Sequence, residues 1–183
     1  MATEITPMTA AAFALIGRDE WRYELVRGEL IRLSPAGLPH GKIASRLNRW
    51  LGQFIEDHGL GETFIGEASF LLSTSPDTVR CPDFSFVSQT RLQALGPLER
   101  IFPGAPDLAA EILSPNDRYP QVREKIVEYF SAGARIVMIL DPRQESIAIH
   151  RSPTEQQVLS KPDTLTIPDM FPGWSVPVAK FFQ

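Results

Sequence analysis

A predicted helix between two short, mainly apolar runs constrains the fold of this chain more than any other feature. The runs cover residues 107–113 and 136–140, and apolar residues at helical spacing predict the helix over 119–132. Short runs that do not alternate with polar residues are typical of strands buried on both faces. A strand, a helix and a second strand form a crossover, which makes the two strands parallel neighbours in one sheet.

Hairpins are predicted around this crossover. The run 23–33 holds two β-prone segments that flank Arg27-Gly28, which indicates a hairpin with a tight turn. The other predicted elements are helices at 9–16 and 39–58 and strands at 62–72, 79–87 and 146–151. The sequence therefore predicts an α/β protein with a mixed β-sheet, because hairpins add antiparallel strands to the parallel crossover.

Length, cysteine content and charge limit the classes of protein to which the chain can belong. Its 183 residues are the length of a single domain. The single Cys81 excludes an intrachain disulfide, which fits the reducing cytoplasm. No apolar run reaches the roughly 18 residues that span a membrane. The net charge of −4 excludes a protein that coats nucleic acid through bulk charge, but it is compatible with a metal-dependent enzyme that cuts nucleic acid.

Two acidic residues lie inside predicted strands, where a carboxylate is unusual. Asp83 lies in the segment VRCPDFSFV, and Glu111 lies in PDLAAEIL. Buried carboxylates are rare unless they are paired or bind a metal. If the two strands are neighbours, both side chains can point into one cleft. Two carboxylates supply the hard oxygen ligands that Mg²⁺ and Mn²⁺ prefer, so the pair predicts a divalent cation there.

Lys125 borders the apolar face of the helix that follows the Glu111 strand. On a helical wheel it lies about 60° from Val122 and about 40° from Tyr129. A long lysine side chain at this place can reach back toward the two acids. A cation beside an attacking water can orient that water or stabilise the transition state of phosphoryl transfer.

Each of these three residues also has a purely structural interpretation. Asp83 could accept hydrogen bonds from nearby backbone N–H groups. Glu111 could pair with an arginine such as Arg135. Lys125 could extend along the surface into solvent.

Several further charged residues have two interpretations as well. Glu24, in the first hairpin, could supply a third acid to the cleft or could pair across the strands with Arg32. Lys42, Arg46 and Arg49 lie on one side of the long helix at 39–58. They could contact a phosphate backbone, or they could form the solvated face of an amphipathic helix. His40, near the start of the same helix, is assigned no role.

Four segments, in order, resemble the Uma-type family of putative restriction endonucleases, a bacterial family placed in the PD-(D/E)XK nuclease superfamily. They are YELVRGELIRLSP, CPDFSFV, APDLAAEILSPNDR and REKIVEYFSAGARIVMILDPRQESIAIHR. The resemblance covers about residues 23–151. It leaves residues 1–22 as an N-terminal helical extension and residues 152–183 as a C-terminal β-rich tail of the same single domain.

The resemblance implies a restriction-endonuclease-like core, a mixed sheet flanked by helices, that hydrolyses phosphodiester bonds of DNA with Mg²⁺, or with Mn²⁺. Asp83 and Glu111 match the two acids of the superfamily and are the implied catalytic and metal-binding residues. The superfamily lysine normally follows the second acid by two residues, and here that position is Leu113. The Uma-type branch resembles cases in which the lysine lies on the following helix, where Lys125 is the matching residue.

Restriction-type nucleases cut two strands by pairing two active sites, so the resemblance also implies a homodimer. Apolar residues near the C-terminus could form the dimer contact or could pack on the body of their own chain; these are Phe171, Trp174, Phe181 and Phe182. The alternative function is a catalytically inactive module that keeps the nuclease fold and binds nucleic acid or protein.

Overall fold

The computed structural model describes residues 6–16, 21–34, 37–66, 68–97 and 100–183. The strands are β1 Arg22–Val26, β2 Glu29–Leu33, β3 Gly61–Ile65, β4 Ser69–Ser73, β5 Thr78–Arg80, β6 Phe84–Ser88, β7 Ile101–Pro103, β8 Leu108–Ile112, β9 Ile136–Asp141, β10 Ser146–His150, β11 Gln156–Leu159, β12 Thr164–Leu165 and β13 Val176–Pro177. The helices are α1 Ala10–Phe13, α2 Leu38–Leu47, α3 Gln53–Asp57, α4 Gln89–Leu95, α5 Tyr119–Ser131 and α6 Ala179–Phe182. Parts of the predicted N-terminal extension, residues 1–5 and 17–20, lie outside the described residues.

Two sheets carry the architecture, and both are mixed. The larger has the strand order β11-β10-β9-β8-β6-β3, and the smaller has the order β2-β1-β5-β4-β7. Strands β8 and β9 pair in parallel, as do β4 and β7, and the other pairs within these two sheets are antiparallel. The predicted crossover is therefore confirmed: α5 connects β8 to β9, and every residue of β8 is buried.

Two strands predicted as continuous are each divided between the two sheets, so these predictions were wrong. The run 62–72 forms β3 in the larger sheet and β4 in the smaller, and the run 79–87 forms β5 in the smaller and β6 in the larger. The second break lies at Pro82, which has no N–H to donate to a ladder. Asp83 consequently lies in the connection between the sheets, directly before β6, rather than inside a strand.

The predicted long helix is continuous but not uniformly α-helical. A π-helical segment, Asn48–Gly52, joins α2 to α3. Along the whole helical stretch from α2 to α3, the apolar residues Ile43, Leu47, Leu51 and Ile55 are buried against the larger sheet. In the part of the chain that the structure describes, no helix is long and apolar enough to cross a membrane.

The C-terminal aromatic residues belong to the core of their own chain. Phe171 and Phe181 are 0% exposed and Trp174 is 5% exposed, all within the core on the α2 side of the larger sheet. The indole of Trp174 also donates a 3.0 Å hydrogen bond to the carbonyl of Trp50, and the half-buried Phe182 packs on the same core. Of the two interpretations of these residues, the structure therefore supports packing on the body of their own chain and not a dimer contact.

Candidate active site

The register of β6 and β8 brings the two predicted acids together. Phe84 pairs with Ala110 in this antiparallel ladder, so Asp83, one residue before β6, comes opposite Glu111. The two residues are only 7% and 9% exposed. They are close enough that the negative charge of Asp83 contributes to raising the pKa of Glu111.

The carboxylate of Asp83 is held by three distant parts of the chain. Its Oδ2 accepts a 2.9 Å hydrogen bond from the backbone N–H of Ile112 and lies 2.9 Å from Nε2 of His40. Its Oδ1 lies 3.5 Å from Nη1 of Arg22. Burial opposes ionisation, but these three partners outweigh it and keep the pKa of Asp83 below its usual value. The interpretation of Asp83 as a residue that bonds nearby backbone was wrong.

Glu111 receives both of its hydrogen bonds from α5. The hydroxyl of Tyr129 donates to Oε1 at 2.7 Å, and Nζ of Lys125 donates to Oε2 at 3.2 Å. Burial raises the pKa of Glu111 to about 7; the Lys125 ammonium opposes the increase, and the charges of Asp83 and Glu24 add to it. The predicted alternative partner, Arg135, instead donates to the carbonyl of Asp169.

Lys125 points inward and joins two acids. Its Nζ lies 3.1 Å from Oε1 of Glu24 and 3.2 Å from Oε2 of Glu111. Burial lowers the pKa of Lys125, but the two carboxylates outweigh burial and hold it above its usual value, so the side chain is an ammonium at neutral pH. The interpretation of Lys125 as a solvated surface residue was wrong. Leu113, at the usual lysine position, is half-buried and packs against the core cluster that includes Ile126 and Tyr129 of α5.

Glu24 is the acid that anchors Lys125 to the smaller sheet. It is 1% exposed, and its opposite residue on β2 is Ile31 rather than Arg32. Arg32 instead stacks over the ring of Trp21 at 3.9 Å from its centroid. The predicted alternative pairing of Glu24 with Arg32 was therefore wrong.

Arg80 completes the charge network around Glu24. Its Nη1 lies 2.8 Å from Oε2 of Glu24, and its Nε lies 2.8 Å from Oε2 of Glu128. Burial opposes ionisation of Glu24, but Lys125 and Arg80 together lower its pKa below the usual value. Both oxygens of Glu24 are thus engaged by cations of the protein.

Sequence reasoning did not assign a role at this site to several residues of the network: Arg22, His40, Arg80, Glu128 and Tyr129. Three of them had a signal in the sequence. Arg80 is a charged residue in the same apolar run as Asp83, Tyr129 follows Lys125 by one helical turn, and His40 lies in the first turn of α2.

The three basic residues predicted to contact DNA have different surroundings. Lys42 and Arg49 are exposed, and the guanidinium of Arg49 lies 5.8 Å from the ring centroid of Trp50. Arg46 is half-buried, and its Nη1 donates to the carbonyl of Phe181 at 3.3 Å. Arg46 therefore ties α2 to the C-terminal helix, which leaves Lys42 and Arg49 for a phosphate contact.

The donor set suits a hard divalent cation, because Asp83 and Glu111 supply carboxylate oxygens from opposing positions at the end of the β6–β8 ladder. Among the described residues, no group of three or more His, Cys, Asp or Glu side chains is arranged to hold a metal ion. Mg²⁺ needs only one or two carboxylates when waters and a substrate phosphate complete its shell. The residues present therefore fit a cation held jointly by protein and substrate.

Comparisons with known proteins identify relatives of the chain. The profile of the Uma2 family, described as "Putative restriction endonuclease", matches residues 10–179. A crystal structure from Anabaena variabilis ATCC 29413, described as a putative nuclease belonging to DUF820, matches with a TM-score of 0.83 and 22% sequence identity, over 96% of this chain and 98% of that chain. The likeness confirms a restriction-endonuclease-like fold. No curated protein matches the chain.

Proposed function

Because the chain belongs to the Uma2 family of putative restriction endonucleases, we propose that it is a metal-dependent endonuclease that hydrolyses phosphodiester bonds in DNA. The family itself supports a nuclease; the metal, the DNA substrate and the site residues are our proposal. The observation that carries it is the placement of Asp83 opposite Glu111, with Nζ of Lys125 3.2 Å from the second acid.

Asp83 and Glu111 would hold Mg²⁺ or Mn²⁺. When bound, the cation would neutralise charge on the scissile phosphate and lower the pKa of a bound water. Glu24, the third acid considered from the sequence, is better suited to holding Lys125, because it is only 1% exposed and both of its oxygens pair with cationic side chains, Lys125 and Arg80.

Lys125 would act as a cation and not as a base, because its neighbours keep it protonated. In the hydrolysis, the oxygen of a water molecule bonds to phosphorus, the bond from phosphorus to a sugar oxygen breaks, and the water proton ends on that sugar oxygen. The ammonium of Lys125 would stabilise the negative charge that grows on the phosphoryl oxygens during this exchange.

DNA would approach the acids along the surface that carries the exposed Lys42 and Arg49. Two cations can guide a phosphate backbone locally even though the chain carries a net charge of −4. The description of the family as restriction endonucleases supports DNA as the substrate, and the Anabaena variabilis relative is described as a nuclease.

The test is a nicking assay on supercoiled plasmid with the wild-type protein in Mg²⁺, in Mn²⁺ and in EDTA. We expect relaxed and linear products with either metal and none in EDTA. Asp83→Asn and Glu111→Gln each remove a ligand charge at constant size, and each is expected to abolish nicking. Lys125→Met should lower the rate by about 10²–10³-fold, as expected for loss of one group that stabilises developing charge.

The matched control is Lys161→Met, which removes a lysine that pairs with Glu145 at the surface. Lys161 follows β11, the edge strand that β10 and β9 separate from β8. It should nick plasmid at the wild-type rate. Equal activity in the wild type and the Asp83→Asn variant would show that a contaminating nuclease is responsible and would overturn the proposal.

A binding module without turnover is the second candidate, and one observation favours it. All four carboxylate oxygens of Asp83 and Glu111 already have a protein nitrogen or hydroxyl within 3.5 Å. A chain that binds DNA or a protein partner but leaves plasmid intact with both metals would support this candidate.

A homodimer remains part of the proposal, because cutting both strands at one place needs two active sites. The contact surface must lie outside the buried C-terminal aromatic residues. Light scattering that gives twice the monomer mass would support a dimer, and a monomer mass would favour a nickase.

A further inference from the structure

The two oxygens of Asp83 have different surroundings. Oδ2 has two close partners, Nε2 of His40 and the backbone nitrogen of Ile112, each at 2.9 Å. Oδ1 has the more distant Nη1 of Arg22 at 3.5 Å. A carboxylate with one oxygen fixed by two donors has a defined orientation, because rotation about its last bond would break both bonds together.

The two donors at Oδ2 come from rigid elements. Ile112 is the last residue of β8, in the middle of the larger sheet. His40 lies in the first turn of α2, where Pro39 precedes it. That helix is fixed because Ile43, Leu47 and Ile112 are packed in the same core. The side chain of His40 is itself 12% exposed, so it is held between the helix and the acid.

We propose that His40 is a positioning residue of the metal site, which holds Oδ2 of Asp83 so that Oδ1 is the oxygen presented to the divalent cation. This inference rests on the proposed function. An ionised carboxylate can only accept hydrogen bonds, so Nε2 of His40 carries the proton and is directed at Asp83. His40 therefore acts on the cation through Asp83, in the way that groups behind a metal ligand orient it.

Arg22 has a distinct place in this arrangement. Its Nη2 donates to the carbonyl of Gly66 at 3.2 Å, which secures the guanidinium without Asp83. The 3.5 Å contact at Oδ1 is longer than both bonds at Oδ2, so Oδ1 is the oxygen that a cation can take with less loss of protein contacts.

The test measures Mn²⁺ binding directly, by the electron paramagnetic resonance signal of free Mn²⁺, in the wild type and in two variants of His40. His40→Leu removes the donor and should weaken Mn²⁺ binding by about 10–100-fold. His40→Gln supplies an amide N–H near the position of Nε2 and should bind within about threefold of the wild type. His58→Gln, at the exposed histidine directly after α3, is the matched control and should equal the wild type. Urea unfolding of every variant separates a loss of folding from a loss of affinity.

Wild-type affinity in His40→Leu would overturn the inference while leaving the proposed function intact. Equal weakening of Mn²⁺ binding in His40→Leu and His40→Gln would also overturn the inference. If His40 orients Asp83 through its hydrogen bond, the glutamine N–H should restore binding, whereas a role in packing alone would not depend on that donor. A wild-type protein that binds no Mn²⁺ would overturn the metal-dependent function and this inference together. This outcome can be distinguished from the two above, because in both of those the wild-type protein still binds Mn²⁺.

Discussion

Nζ of Lys125 lies 3.1 Å from Oε1 of Glu24, a residue 101 positions away in the chain. The same nitrogen contacts Glu111, so one half-buried ammonium is held by an acid from each of the two sheets. Without it, two buried carboxylates would face each other with less compensation. An uncompensated buried charge is among the most destabilising changes that a single substitution can make.

Lys125→Met should therefore lower stability as well as activity. Methionine keeps the unbranched apolar stem and removes the charge. We expect the free energy of unfolding to fall by about 3–5 kcal/mol, the usual cost of breaking a buried ion pair from one side. Urea unfolding at neutral pH measures this change.

The surface pair of Lys161 with Glu145 is the control for this prediction, because the Lys161 side chain is 50% exposed. Lys161→Met should change stability by less than about 1 kcal/mol. Equal losses in the two variants would contradict the role of Lys125 as the shared counter-ion of two buried acids.

The predictable part of the fold is the part that local pattern controls. Two apolar runs around a helix were enough to predict that β8 and β9 are parallel neighbours, and Arg27-Gly28 was enough to predict the first hairpin. The division of each long run between two sheets was not predictable in the same way, because both halves of such a run are apolar. Which sheet a strand joins depends on partners far away in the chain.

The candidate site shows the same limit. Lys125 could be identified from its angle on a helical wheel, since that angle depends only on neighbours within a few turns. The pairing of Arg80 with Glu24 could not be predicted from the sequence, because the two residues are 56 positions apart and no periodicity relates them. His40 was passed over for the same reason: its partner, Asp83, is specified by the packing of α2 on the sheet.

Tyr129 tests whether the orientation of Glu111 depends on one hydrogen bond. Tyr129→Phe removes the hydroxyl that donates to Oε1 at 2.7 Å and keeps the buried ring. The free energy of unfolding should fall by about 1–3 kcal/mol, because a buried carboxylate loses a donor. Urea unfolding measures the loss.

The control for Tyr129 lies on the same helix. Tyr119 is 76% exposed, so Tyr119→Phe should leave stability within about 0.5 kcal/mol of the wild type. If the two substitutions had the same effect, the hydrogen bond to Glu111 would contribute nothing to folding.

His150 should make the protein sensitive to mild acid. It is 8% exposed, and its Nδ1 has no hydrogen-bond partner among the described residues. Burial lowers the pKa of His150 below its usual value of 6.5. The unfolded chain therefore takes up the proton first, and stability is lost as pH falls from about 6.5 through the pKa of the folded state.

The measurement is the free energy of unfolding as a function of pH for the wild type and for His150→Gln, which cannot titrate. The wild type should lose stability more steeply below pH of about 6.5. Above pH of about 8 the two curves should run parallel, which is the internal control. Parallel curves over the whole range would show that His150 does not couple protonation to folding.

Gly28 tests how firmly the hairpin that carries Glu24 is fixed. Arg27 and Gly28 have φ values of 50° and 79°, as a tight two-residue hairpin turn requires. A Cβ on Gly28 would overlap the Cβ of Pro7, whereas a Cβ on Gly59, which also has positive φ, would have no atom within 4 Å. Gly28→Ala adds a steric clash to the backbone strain that both substitutions share, so it should cost about 1–3 kcal/mol more in urea unfolding than Gly59→Ala. Equal costs would mean that the segment around Pro7 moves aside freely and does not fix the turn.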